Sequence, residues 1–136
     1  MLKICRRETF NAAHRLFTPG LSDEENRAIY GPCSNLNYHG HNYVLEVWVG
    51  GEVNQETGFV MDLKVLAEII HEEVKDPFDH RNLNLDCPEF ANLNPTAENI
   101  ILVIWKKIRP RIDAAYSLEL RLWETDKNSV YYNGAN

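Results

Sequence analysis

The stretch Cys33-Ser34-Asn35-Leu36-Asn37-Tyr38-His39-Gly40-His41 sets a thiol and two imidazoles close together in the chain. From Gly40 onward the residues alternate as in a strand, with Tyr43, Leu45, Val47 and Val49 on one face. Residues two apart on a strand share a face, so His39 and His41 present their rings together with only Gly40 between them. Two neutral imidazoles side by side are two-thirds of a catalytic zinc site, which takes three protein ligands and leaves one position open. The candidate for the third ligand is His14, which ends the run Glu8-Thr9-Phe10-Asn11-Ala12-Ala13-His14. That run also reads as a strand. If the two strands pair antiparallel, their ends meet and the three rings converge. The competing reading makes all three surface or hydrogen-bonded core histidines, because His-x-His pairs also arise by chance.

Other groups with chemistry lie outside this stretch. Asp79-His80 falls in a loop after a helix, where most such pairs are turn and surface residues. Glu124 ends a stripe formed with Leu118, Leu120 and Leu122, and a carboxylate there needs donors. It either reaches water at the strand end or holds a ligand with paired N–H donors, such as an amidine or guanidine-like edge. His71 sits beside Glu72 and Glu73 on a solvated helix face and is left out of the metal site.

Composition bounds what these groups can serve. At 136 residues the chain is expected to form a single domain, 1–136, with one core. Its net charge of −6 argues against a nucleic-acid partner held by general electrostatics. An anionic small molecule stays possible if basic groups are local, with Arg15 and Lys127 as weak candidates. No apolar run approaches the ~18 residues of a membrane span, and Met1 to Arg7 has no signal-peptide core. Three cysteines are too sparse and odd for a disulfide framework, which points to a reducing, cytoplasmic compartment.

The elements that must position the site follow from period and punctuation. A first strand is expected over 2–13 and a second over 40–53. The turn at 54–58 leads to a short returning strand at 59–61, giving a hairpin. Between the first two strands, Ser22 caps a short helix over about 22–29, and Gly31-Pro32 then delivers Cys33 in a turn. Asp62 caps a helix with Leu63, Leu66, Ile69, Ile70 and Val74 at helical spacing, stopped by Pro77-Phe78. Thr96 caps a second, with Ile100, Val103, Ile104 and Ile108 as its stripe. Strands at 117–125 and 130–132 close the order. The fold class is therefore α+β, an antiparallel sheet with helices on one face. Trp48 and Trp123 fall on the other face, as if part of it were buried in an oligomer.

Six motifs stand in an order and spacing that resemble one family: Phe10-Asn-Ala-Ala-His14, Cys33-x5-His39-Gly-His41, Gly58-Phe-Val-Met-Asp62, Asp79-His80-Arg-Asn-Leu-Asn, Pro95-Thr-Ala-Glu-Asn99 and Trp123-Glu-Thr125. The chain resembles the 6-pyruvoyltetrahydropterin synthases, a family that includes the 6-carboxytetrahydropterin synthases of queuosine biosynthesis. The resemblance covers essentially the whole chain. It implies the tunnelling fold, a four-stranded antiparallel sheet with two helices, whose trimers close into a barrel and stack as a hexamer. It implies zinc on His14, His39 and His41, with Cys33 as the proton-abstracting base. Asp79 and His80 would complete a catalytic triad across a subunit boundary. Glu124 would anchor a pterin ring, with Thr96 and Glu98 lining the same pocket.

The implied substrate is 7,8-dihydroneopterin triphosphate and the implied product 6-pyruvoyltetrahydropterin, with triphosphate expelled. The alternative within the family is the 6-carboxytetrahydropterin synthase reaction, which also releases acetaldehyde. The Cys33-x5-His39 spacing leans slightly toward the pyruvoyl side. Members that cleave the side chain toward folate carry Glu at or beside the cysteine, and Pro32-Cys33-Ser34 has none. Ala97 replaces a hydroxyl residue of some members. Outside the family, a zinc- or pterin-binding module without activity would need none of Cys33, Asp79 and His80. A zinc hydrolase would need a carboxylate base near the metal, and none is spaced for it.

Overall fold

A computed structural model describes residues 1–135 and contains a sheet in the order β3-β1-β2-β4-β5. β1 (Leu2–His14) and β2 (His39–Gly51) pair antiparallel over their whole length, Leu2 opposite Gly51 and His14 opposite His39. β4 (Ser117–Trp123) pairs antiparallel with β2, and β5 (Ser129–Tyr132) pairs antiparallel with β4. β3 is only Arg81–Asn82 and runs parallel to β1 at Ala12 and Ala13. The four antiparallel strands are those expected; the fifth is a two-residue addition in a segment that reads as loop.

Period two decides which side chains meet the helices. Phe10, Ala12, Tyr43, Leu45, Val47, Leu118, Leu120 and Leu122 share one face and are all buried. Against it pack α2 (Leu63–Ile70), with Leu66, Ile69 and Ile70, and α3 (Ala97–Ile108), with Ile100, Ile104 and Ile108. Ile101 is buried in α3 as well, whereas the expected Val103 is only half-buried. The opposite sheet face is mixed: Arg7, Asn42, Glu46, Glu119 and Arg121 alternate with Val44, Trp48 and Trp123. Trp48 remains 37% exposed there.

Each fully buried Leu, Ile or Val contributes about 1.5–3 kcal/mol. A helix cap contributes about 1 kcal/mol. Packing therefore holds the helices, and the caps decide where they begin. Ser22 and Glu25 form a capping box on α1 (Asp23–Tyr30), Asp62 accepts from Lys64 N, and Thr96 accepts from Asn99 N. Beyond α2 the helical path continues through a π-type turn, His71–Lys75, and a last turn Asp76–Phe78. Pro77, with no N–H to bond back along that path, stands one residue before it ends at Phe78.

One expected element is absent and two are shorter than expected. Residues 59–61 do not form a returning strand. Asn54 N bonds Phe59 O at 2.8 Å and Gly58 N bonds Asn54 O at 2.8 Å, which closes a turn but builds no ladder. Phe59 is 51% exposed, so no buried face draws that segment onto the sheet. β2 ends at Gly51 rather than 53, and β4 ends at Trp123, leaving Glu124 just beyond it.

Candidate metal centre and adjoining cleft

The β1–β2 register places His14 opposite His39, and His41 lies two residues along on the same face. The three rings continue the core stripe past Phe10 and Tyr43, whose own rings stack at 4.9 Å between centroids. Centroid separations are 4.5 Å for His14–His39, 5.1 Å for His14–His41 and 5.0 Å for His39–His41. One nitrogen from each lies within 4.8 Å of the others, a spacing that one metal ion can span.

The donor atoms test whether a metal fits. His14 is 1% exposed, and its Nδ1 donates to the Pro95 carbonyl at 2.8 Å. That bond leaves Nε2 as the lone-pair nitrogen, the usual way an outer partner fixes a ligand tautomer. Among the described residues, His14 Nε2, both ring nitrogens of His39, and His41 Nε2 are buried without a hydrogen-bond partner. A buried polar atom left unpaired costs about 1–3 kcal/mol. Several facing one another make sense as ligands to an ion they share. Burial lowers the His14 pKa to about 4, and the adjacent His39 and His41 rings add to this against the opposing Pro95 bond. Burial, then His41, lowers His39 as well. Both rings are thus held neutral, as metal ligation requires. The residues fit a zinc site with three histidine ligands.

Around this cluster the structure gathers several other expected residues. Glu124 Oε1 stands 4.0 Å from His41 Nε2. With Leu16, Tyr30, Thr96, Glu98 and Val130 it lines a cleft of about 370 Å³. Cys33 lies in the 3₁₀ turn Gly31–Ser34, half-buried, and its carbonyl accepts from Leu16 N at 2.9 Å. Burial raises the Tyr43 phenol's pKa, and the nearby Glu124 carboxylate raises it further. Tyr43 Oη is 3.3 Å from His14 Nδ1. A wider recess of about 600 Å³ near Lys3, Trp105 and Arg109 holds no such cluster. Its charges are committed, Lys3 to Glu119 at 2.6 Å and Arg109 to the carbonyls of Ile112, Asp113 and Tyr116.

Asp79 and His80 are paired but lie elsewhere on the sheet. Asp79 Oδ1 accepts from Asn11 N at 2.8 Å, and its Oδ2 meets His80 Nδ1 at 2.9 Å. Those bonds, that from Asn11 first, hold the Asp79 carboxyl below its ordinary pKa. The pair sits beside β3, on the side of β1 away from β2, and the His80 side chain is 82% exposed. His80 also has φ +60°, a left-handed conformation that costs a non-glycine residue about 1 kcal/mol or more and recurs at functional sites. Tyr38, directly before His39, has φ +65°.

A sequence model of the family described as 6-pyruvoyl tetrahydropterin synthase matches residues 3–135. The chain belongs to that family. A 6-pyruvoyl tetrahydrobiopterin synthase from Poecilia reticulata is 45% identical over 131 residues, covering 96% of this chain and 89% of the relative. The solved structure of Caenorhabditis elegans 6-pyruvoyl tetrahydropterin synthase superposes with a TM-score of 0.91 at 36% identity, covering 98% of this chain and 96% of that one. More distant is a 6-carboxy-5,6,7,8-tetrahydropterin synthase from Rickettsia conorii, 28% identical over 143 residues, covering 92% and 95%. The fold shared with these synthases is the tunnelling fold.

Three contributors to the site are not evident from motif spacing. Tyr43 reads as one more core position on its strand. The Pro95 carbonyl is a backbone group and leaves no side-chain signal. Tyr30 reads as the end of a short helix. Only the fold carries these to the cluster.

Proposed function

We propose that the chain is a lyase that converts 7,8-dihydroneopterin triphosphate to 6-pyruvoyltetrahydropterin with release of triphosphate. The observation that carries this reading is the trio of imidazoles that turn buried, unpartnered ring nitrogens toward one another beside a cleft ending in Glu124, in a chain of this family. The pyruvoyl product is preferred because relatives so named are the more similar ones, at 45% against 28% identity for the 6-carboxy synthase. Acetaldehyde and a 6-carboxyl product in mass spectra of the reaction would reverse that preference.

Each residue then has a task. His14, His39 and His41 hold zinc, which when bound supplies a Lewis acid for the side-chain hydroxyls of the substrate. Glu124 accepts from the pterin's ring N–H and amino group, a charge-assisted two-point contact that selects the ring. Thr96 and Glu98 line the same cleft and bound its shape. Cys33 removes a proton from a side-chain carbon activated by the conjugated ring, which lets the C–O electrons leave with triphosphate. His80, oriented by Asp79, gives and takes the protons of the accompanying tautomerisation.

The family resemblance assigns the Asp79–His80 pair to a substrate held by a neighbouring copy, and the 82% exposure of the His80 side chain supports that role. The working form is accordingly a homo-oligomer, a hexamer built as a dimer of trimers. The described cysteines are all free and no described helix is long and apolar enough to cross a membrane. We place the enzyme in a reducing cytoplasm, with neither a membrane nor a nucleic acid as partner.

Cys33→Ala tests the catalytic reading against a binding module without activity. Turnover of dihydroneopterin triphosphate should vanish while zinc content stays at the parent level. A variant as active as the parent would sink the assignment of Cys33.

A further inference from the structure

β1 ends at His14, yet the next residues, Arg15 to Thr18, must stay in place for that ring to keep its position. They have no strand partner. Besides the Leu16 N bond to the Cys33 carbonyl, side-chain amides hold them. Asn84 Oδ1 accepts from Arg15 N at 2.8 Å and its Nδ2 donates to Arg15 O at 3.0 Å. Asn94 Oδ1 accepts from Phe17 N at 3.2 Å. Asn26 does the same for Thr18 N at 2.7 Å.

Asn94 differs from the other two in what else it holds. Its Nδ2 donates to Tyr30 Oη at 3.3 Å, on the wall of the cleft. Its own carbonyl accepts from Asn99 Nδ2 at 2.9 Å and from Thr96 N at 2.8 Å. The residue that follows is Pro95, buried, whose carbonyl takes the His14 Nδ1 proton at 2.8 Å. One side chain thus fastens the backbone after His14 to the loop that orients the His14 ring, and both to the cleft.

We infer that Asn94 is a positioning residue for the metal centre: it fixes the distance between the His14 segment and the Pro95 carbonyl, and so the tautomer and aim of His14. The inference rests on the reading of His14, His39 and His41 as a zinc site, and deepens it. Loss of an outer partner of a ligating histidine typically weakens metal binding by about 10- to 100-fold. Asn94→Ala removes the amide while leaving every ligand in the sequence.

The test measures zinc affinity by competition with a chromophoric chelator, and the His14 tautomer by ¹⁵N chemical shifts of the zinc-free protein. Asn94→Ala should bind zinc about tenfold more weakly. Its His14 should show a mixture of tautomers where the parent shows Nδ1–H. Asn26→Ala removes a buried amide of the same segment that does not touch the Pro95 loop. It should lower the melting temperature and leave both readouts unchanged. If Asn94→Ala fails to fold, the near-isosteric Asn94→Leu, which keeps the bulk but loses the bonds to Phe17 N and Tyr30 Oη, is carried through both measurements. Unchanged zinc affinity and tautomer in the folded variant overturn the inference, as does an equal loss of affinity in Asn26→Ala. Failure of the parent itself to bind zinc sinks the metal reading instead, while the tautomer measurement still decides the role of Asn94.

Discussion

Glu124 shows how much turns on one side chain. Its carboxylate stands 4.0 Å from His41 and borders the cleft, so under the proposed function it faces the metal ligands on one side and the pterin ring on the other. Hydrogen bonds to a charged acceptor are worth about 1.5–3 kcal/mol, or roughly 10- to 150-fold in affinity. Glu124→Gln keeps the shape and one acceptor oxygen but loses the charge. We expect KM for dihydroneopterin triphosphate to rise at least tenfold, toward the lower end of that range. Zinc content measured by atomic absorption should not change. A KM equal to the parent's would mean that Glu124 serves water at the strand end, the other reading its position allows.

Among the elements, the packing of α2 on β1 holds the least expected arrangement. Glu8 lies on the core side of β1, where its carboxylate bonds His71 at 2.8 Å, Lys75 at 3.1 Å and Arg6 at 3.2 Å. His71 and Lys75 bracket the π-type turn that leads on to Asp79 and His80. Burial alone would raise the Glu8 pKa; the bonds from His71, Lys75 and Arg6 overcome it and hold the group down to about 2. A depressed carboxylate contributes its stability above the unfolded value of 4.5, and that stability is lost as pH falls toward 2. Glu8→Gln should therefore destabilise the fold by about 1–2 kcal/mol at neutral pH, between the usual surface and buried ion-pair values. The parent and variant melting temperatures should converge as acid is added below the ordinary carboxylate range. A gap that stays constant down to about pH 3, well inside the window between the two pKa values, would show that the charge is not what Glu8 contributes.

At the scale of the whole molecule, the separation of functional groups decides the outcome. Cys33 and the histidine cluster occupy the β1–β2 ends and the turn beside them, whereas His80 projects into solvent at the opposite edge of β1. If the triad forms between subunits, Cys33→Ala and His80→Ala damage different contributions to one site. Subunits of the two inactive variants, mixed and reassembled, should regain activity, with about a quarter of heterologous sites receiving one intact contribution from each neighbour. Each variant alone should stay inactive. No recovery on mixing, with reassembly verified by native mass spectrometry, would place the whole site within one chain.

The sequence by itself determined that His39 and His41 share a strand face and that His14 ends a strand able to meet them if the two pair antiparallel. A period of two assigns faces and forbids a slip of one residue, but a slip of two keeps the same faces, so the register that sets His14 opposite His39 is a finding of the structure. The sequence determined the helix starts too, because Ser22, Asp62 and Thr96 satisfy free N–H groups within a few residues of themselves. A returning strand at 59–61 was not to be had from local pattern, since that depends on whether a sheet edge and a buried face are there to receive it. Only the tertiary structure decided that Pro95 orients His14, that Glu124 stands 4.0 Å from His41, and that Asp79–His80 stands apart on an exposed rim. Those are contacts between segments far apart in the chain, and no local spacing encodes the distance across a fold.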